Sequence, residues 1–299
     1  MATLFAQILR PLAPSQAAEV TSKSPPSAKT DHRKEFEGAE VRPPIAAIPS
    51  DELDNLIREE ARAAAEPKTP VPKGPLIAIV LTELGPNASA ARSAIDSLPA
   101  AVSLAFSPYA DASRGLAQAA KAGGHEVWLS VPMQPKSYPR VSPGKNLLLT
   151  GESGAENVRR LGWALSRLDA PVGVTNMMGS AFTESAAAMR PVLGALKVKQ
   201  LAYVDARSTG KSVGEAEAKA LGVSAATNDR FLDEPETAAN IRANLDALVA
   251  TAKRRGHAVG YARATPETIR QLEAWAAELD ASGVTLVGAS VVARRNSDG

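Results

Sequence analysis

From residue 76 onward, short continuous apolar runs alternate with longer stretches of helical period, and no other feature constrains the fold as tightly. The apolar runs lie at 76–81, 101–106, 126–131, 172–176, 201–204, 223–226 (the weakest), 257–262 and 284–288. Between them, residues 87–98, 111–122, 154–168, 183–196, 212–221, 235–255 and 266–281 repeat apolar residues at helical spacing. Strand and helix in strict alternation give a parallel sheet, because each crossover needs a helix to return the chain. Strands that are apolar throughout are those buried on both faces. The pattern predicts an α/β fold, an irregular (β/α) barrel of seven or eight parallel strands. No glycine-rich phosphate loop follows any of the runs, which removes the simplest nucleotide-binding fold.

The first 74 residues differ. They hold ten of the 22 prolines and only two of the 21 glycines. Such a segment lacks the apolar periodicity that offsets the entropy of ordering, so 1–74 is expected to be a Pro-rich, largely disordered linker. One short helix is expected within it near 51–66. Ser50 can cap it, Asp51, Glu52 and Asp54 suit its positive end, and Leu53, Leu56, Ile57 and Ala61 make one stripe. A protein partner could dock through 1–74. The apolar start, Leu4 to Leu9, breaks at Arg10-Pro11, is too short to span a bilayer and lacks the form of a signal peptide. No transmembrane segment is expected elsewhere. The barrel is expected over 75–293, with a tail at 294–299.

In such folds, chemistry sits at the carboxyl ends of the strands, the mouth of the barrel. Thr82 and Glu83 end the first strand, and Ser107 and Tyr109 follow the second. Ser130 and Met133 end the third, and Asn176, Met177 and Ser180 follow the fourth. Asp205 and Arg207 follow the fifth, Asp233 lies beyond the sixth, Arg263 follows the seventh, and Ser290 the eighth. The chain has no cysteine and three histidines. His32 is in the linker. His125 and His257 precede or open their strands, which puts them on the floor, opposite the mouth. A net charge of +2 gives no footprint for nucleic acid.

Several pieces in order carry a resemblance: IAIVLTELG (77–85), LPAAVSLAFSPYA (98–110), AGGHEVWLSVPMQP (122–135), PVGVTNMMGSAFT (171–183), LAYVDARST (201–209), FLD (231–233) and TPETI (265–269). Together they resemble the divergent polysaccharide deacetylases, a branch of the carbohydrate-deacetylase superfamily built on an irregular barrel. The resemblance implies hydrolysis of an acetyl group on a sugar. A divalent metal polarises the carbonyl and activates water, and carboxylates move protons. It also implies a periplasmic or cell-envelope location, although no signal peptide or anchor is visible in this sequence.

The sequence departs from the family where the metal is held. Paired aspartates are replaced by Thr82-Glu83. The histidine of the third-strand motif is replaced by Ser130, that of the Asn-Asn-His-Met-Gly-Ser motif by Met177, and that of the Gly-His-Pro motif by Arg263. One carboxylate with no imidazole is a poor zinc site, a thioether suits soft metals, and a guanidinium opposes any cation. The expectation is therefore a deacetylase-like barrel with no metal and no cofactor, degenerate in catalysis, binding a polysaccharide, an oligosaccharide or a protein. Asn176, Arg207, Arg263, Tyr109, Ser130 and Asp233 are the expected substrate-binding residues. The alternative is an active hydrolase that uses zinc in a non-standard site, or carboxylates alone, with Glu83 and Asp205 catalytic.

Overall fold

Strand β1 (Leu76–Leu84) shows why the chain folds as it does. Leu76, Ala78 and Val80 face one way, Ile77, Ile79 and Leu81 the other, and all six are fully buried. A strand buried on both faces must lie between two apolar layers. The computed structural model, which describes residues 71–296, supplies both. The inner layer is the barrel interior, where Leu76, Ala78 and Val80 meet Ala105, Trp128, Val204, Val259 and Tyr261. The outer layer lies under the helices, where Ile77, Ile79 and Leu81 join Leu104, Phe106, Leu129, Leu193 and Leu245. The expected helix at 51–66, the rest of 1–70, and residues 297–299 lie outside the described residues.

The remaining strands are β2 (Ser103–Phe106), β3 (Val127–Met133), β4 (Gly173–Met178), β5 (Ala202–Asp205), β6 (Ala225–Thr227), β7 (Arg230–Phe231), β8 (His257–Arg263) and β9 (Thr285–Leu286). The order around the sheet is β6, β5, β4, β3, β2, β1, β8, β7, and every pairing is parallel. This is the expected irregular barrel, left incomplete. Between its two edges, β6 and β7, there is no ladder. They belong to one segment joined by Asn228-Asp229, whose amides bond to Asp205 O of β5 and Val259 O of β8 at 2.8 Å each. A single stretch of chain thus serves both edges. Inside, Gly173 lets Trp128 lie flat against β4, since a Cβ there would stand 2.4 Å from the indole.

All seven stretches of helical period form helices: α1 (Ala88–Ser97), α2 (Ser113–Ala122), α3 (Gly154–Leu165), α4 (Ala186–Val198), α5 (Gly214–Ala220), α6 (Ala238–Arg255) and α7 (Pro266–Glu278). Five begin on a side-chain cap: Asn87, Ser153, Ser185, Thr237 and Thr265. Such caps satisfy amides that a first turn leaves free.

The C-terminal end requires a correction. The run at 284–288 contributes only the two-residue β9, paired with Leu76 and Ile77 at the start of β1. Its far end therefore lies at the floor of the barrel, and Ser290 with it, not at the mouth. Residues 294 and 295, expected in a tail, belong to helix α8 (Ala289–Arg295). Ala289, Val292 and Ala293 are fully buried in the inner layer, so α8 plugs the floor. Glu126 secures it. Its carboxylate accepts the Ser290 amide at 3.1 Å, the Ser290 hydroxyl, Ser103 Oγ at 3.0 Å and Trp128 Nε1 at 3.1 Å. The Ala289 amide in turn donates to Ser103 Oγ at 2.9 Å. Among the described residues, no helix is long and apolar enough to cross a membrane.

Candidate functional site

At the carboxyl ends of the strands opens a cleft of about 620 Å3. Its walls come from separate strands: Thr82 and Glu83 from β1, Ser107 and Tyr109 beyond β2, and Ser130 from β3. Asn176, Met177 and Met178 come from β4, Phe231 from β7, Asp233 and Glu234 beyond it, and Tyr261 and Arg263 from β8. The structure thus gathers Thr82, Glu83, Ser130, Met177 and Arg263, the positions at which the sequence departs from the resembled motifs, around one space.

A bulge sets Thr82 and Glu83. β1 pairs with β2 through Leu81↔Leu104 and then Leu84↔Phe106, so β1 carries one extra residue across this gap. An extra residue bends a strand and re-aims its side chains. Thr82 stays in register with Arg263 on β8 and donates to Ala262 O at 3.2 Å. Glu83 takes a left-handed φ of 61° and is exposed in the cleft, and its side chain makes no hydrogen bond or ion pair among the described residues. Met178 (φ 57°) and Arg207 (φ 54°) end β4 and follow β5 in the same way. Left-handed backbone at non-glycine residues costs about 1–3 kcal/mol each and clusters at functional sites.

Arg263 and Asp233 form the strongest charge pair of the cleft. Asp233 is 2% exposed and accepts Arg263 Nε at 2.8 Å and the Arg263 amide at 3.1 Å. Arg263 Nη2 reaches Asp233 O at 3.3 Å and the Glu236 carboxylate at 3.6 Å. The hydrogen bond it donates to Asp233, foremost, holds the guanidinium even more firmly charged than usual.

Asn176 is at the cleft, but its amide is committed to the fold. Its Oδ1 accepts the Ala206 amide at 2.9 Å and Tyr203 Oη at 3.2 Å. Its Nδ2 donates to Met178 O at 2.7 Å and lies 3.3 Å from Ser208 Oγ. Tyr109 is held too. Its hydroxyl donates to Lys145 O at 2.5 Å, and its ring lies 5.6 Å from that of Trp163. Burial raises its pKa to about 12, so it is a neutral hydroxyl. Ser130 is buried among side chains but lines the cleft with no hydrogen bond of its own.

Asp205 and Arg207 are not brought to this cleft. They line a separate groove of about 510 Å3 that runs beside β6, with Glu215, Asp229, Arg255 and His257. Asp205 is buried, accepting the Arg207 amide at 2.7 Å and the Ser212 hydroxyl at 2.5 Å. Its burial raises its pKa, against the lowering pull of Ser212. The Arg207 side chain is exposed and makes no ion pair with it.

Sequence reasoning missed Phe231, Tyr261 and Met178 as cleft residues. Tyr261 could have been found: it alternates with Val259 and Arg263, and so shares their inward face. Its hydroxyl crosses the barrel to Thr175 Oγ1 at 2.8 Å. Phe231 packs edge-on against it at 6.4 Å between ring centres.

A metal-dependent deacetylase needs two or three carboxylate or imidazole donors around a cation. The residues here do not fit that group. The Asp233 carboxylate is taken by Arg263, and Glu83 and Glu234 are the carboxylates left lining the cleft, with no imidazole among its lining residues. Among the described residues, no three His, Cys, Asp or Glu come together to hold a metal ion. His125 and His257 lie at the floor end, as expected. His125 is buried, with Nδ1 2.9 Å from Val102 O and Nε2 3.3 Å from Ile95 O.

The profile of the family described as divergent polysaccharide deacetylase matches residues 79–293, from the core of β1 into α8. The chain belongs to that family. Two relatives carry no assigned activity. An uncharacterized protein of Haemophilus influenzae is 32% identical over 198 residues, covering 66% of this chain and 70% of its own. The uncharacterized protein YibQ of Escherichia coli is 31% identical over 193 residues, covering 64% of this chain but 60% of its own, so the match leaves part of that relative unaccounted for. The crystal structure of an uncharacterized protein of Agrobacterium tumefaciens superposes with a TM-score of 0.73 at 31% identity, covering 77% of this chain and 94% of that one. A structure from Enterococcus faecalis, with a TM-score of 0.52 at 11% identity over 72% of this chain and 98% of that one, shares the fold alone.

Proposed function

We propose that this family member binds a cell-envelope polysaccharide in the mouth of its barrel without removing acetyl groups. The observation that carries this is the Asp233–Arg263 pair. It places a fixed guanidinium, bonded at 2.8 Å to a buried carboxylate, in the cleft where a deacetylase would hold a cation. Water activation by a metal needs free carboxylate or imidazole donors, and this pair takes one carboxylate out of use and fills its place with a guanidinium. The cleft nevertheless keeps what a sugar site requires. Tyr109 and Phe231 offer an apolar wall, and the hydroxyls of Thr82, Ser107, Ser130 and Ser208 stand around it. Family membership supports a carbohydrate ligand and a periplasmic location.

Elemental analysis of the purified protein, paired with acetate release from acetylated glycans, tests this. The expected result is no stoichiometric zinc and no acetate, together with measurable glycan binding. Acetate release that Glu83→Ala abolishes would establish the hydrolase instead.

A further inference from the structure

We propose, resting on the glycan-binding function above, that the cleft selects sugars whose amines are free over those whose amines are acetylated. Charge is the first reason. The chain as a whole carries +2, yet the cleft is lined by three carboxylates (Glu83, Asp233, Glu234) against one guanidinium (Arg263), a net of −2. The cleft thus opposes the sign of the molecule. Arg263 bonds Asp233 at 2.8 Å and lies 3.6 Å from Glu236, and its charge also reaches Glu83, so one guanidinium is shared among three carboxylates. Two carboxylates remain over. Neither Glu83 nor Glu234 makes a hydrogen bond or ion pair among the described residues, and both line the cavity. A ligand that enters strips water from them, and a carboxylate desolvated without a cation is costly. An ammonium group supplies that cation. An acetamide donates an N–H but brings no charge.

The rest of the cavity says what carries the ammonium. The half-buried rings of Phe231 and Tyr109 give the cleft an apolar surface, and an aromatic face also attracts a nearby cation. Serine and threonine hydroxyls exchange hydrogen bonds with sugar hydroxyls, for which a lysine side chain has no counterpart. An amino sugar satisfies wall, hydroxyls and carboxylates together. The cleft of a deacetylase-family barrel then recognises the product form of the glycan.

Titration calorimetry of the full chain tests this, with a β-1,4-linked glucosamine tetramer, its fully N-acetylated counterpart and tetralysine. The glucosamine tetramer is expected to bind more tightly than the other two. Its affinity should fall as salt rises, because exposed charge pairs are screened. Glu83→Gln and Glu234→Gln should each weaken it about three- to fivefold, the range of a partly exposed ion pair, and leave the N-acetylated tetramer unaffected. Equal or tighter binding of the N-acetylated form overturns the inference and leaves the glycan-binding function standing. Tighter binding of tetralysine overturns it in favour of a basic peptide, and binding of neither sugar overturns both. The salt dependence is read on the unmodified protein, so a variant that fails to fold does not protect the idea.

Discussion

At the scale of single residues, the mouth contains two kinds of polar side chain, and their substitution should separate them. Asn176 and Asp233 hold the strand ends. Asn176→Ala strips the buried Ala206 amide and the Tyr203 hydroxyl of their acceptor. Leaving buried donors unmade costs about 1–3 kcal/mol each, so a loss of about 2–3 kcal/mol in urea unfolding is expected. A loss under half a kcal/mol, on the order of an ordinary surface change, would mean the bonds are not formed. Arg263→Ala leaves the buried Asp233 carboxylate uncompensated and should cost about 2–4 kcal/mol, discounted for the half-exposed guanidinium. Adding Asp233→Asn should recover most of that, which a double-mutant cycle reads directly. Glu83 behaves in the opposite way. Its side chain makes no hydrogen bond or ion pair among the described residues and it sits at φ 61°, so Glu83→Gly should stabilise the protein by about 1 kcal/mol while weakening ligand binding. A stabilised variant with undiminished binding would show that Glu83 has no part in the site.

At the scale of elements, the floor plug α8 decides whether the barrel interior stays dry. Its Val292 and Ala293 join Val80, Val204 and Val259 in the inner layer, and Glu126 receives its Ser290 amide. Removing residues 289–299 should expose that interior, lower the melting temperature and make the protein bind a hydrophobic dye. Glu126→Ala should do the same in milder form, about 2 kcal/mol, because it leaves the Ser290 amide and the indole Nε1 without their acceptor. A truncated chain that melts with the full one would refute the plug. The plug is also the element that the sequence hid best. The strands β1, β3 and β8 were legible because burial on both faces leaves an apolar run, and the helices because their stripe has period 3.6. α8 is seven residues long, with its apolar face split among Ala289, Val292 and Ala293, and it ends in arginines that resemble a tail. β7 is two residues long, too short for any period, yet it brings Phe231 to the cleft. The site was legible in part for the same reason. Strand ends gave Glu83, Ser130 and Arg263. Asp205 also sits at a strand end, but its strand lies beside the incomplete seam, and its side chain turns to the lateral groove.

At the scale of the whole molecule, that groove links the two ends of the barrel and makes stability depend on pH. Asp205 lies at its mouth end and His257 at its floor end. Burial, first, lowers the His257 pKa from its ordinary 6.5, and Arg255 and Arg295 add to this, while Asp229 and Glu215 pull the other way. Below 6.5 the unfolded chain therefore binds a proton that the folded chain refuses. The contribution of His257 is full above 6.5 and is lost as pH falls through its depressed value. Asp205 has the reverse sign. Its pKa is raised from 3.8 by burial, so the folded chain holds a proton that the unfolded chain releases, and stability falls as pH rises through the interval above 3.8. Melting temperatures measured from about pH 4 to 8 on the protein and two variants should separate these effects. His257→Gln should flatten the loss on acidification below 6.5. Asp205→Asn keeps an acceptor for the Arg207 amide and offers an N–H to Ser212 Oγ, whose hydroxyl can turn to Thr183 O at 3.5 Å, and should melt higher than the parent at neutral pH, with the gap closing toward acid. Parallel profiles for all three proteins would mean that neither group is buried as the groove places it.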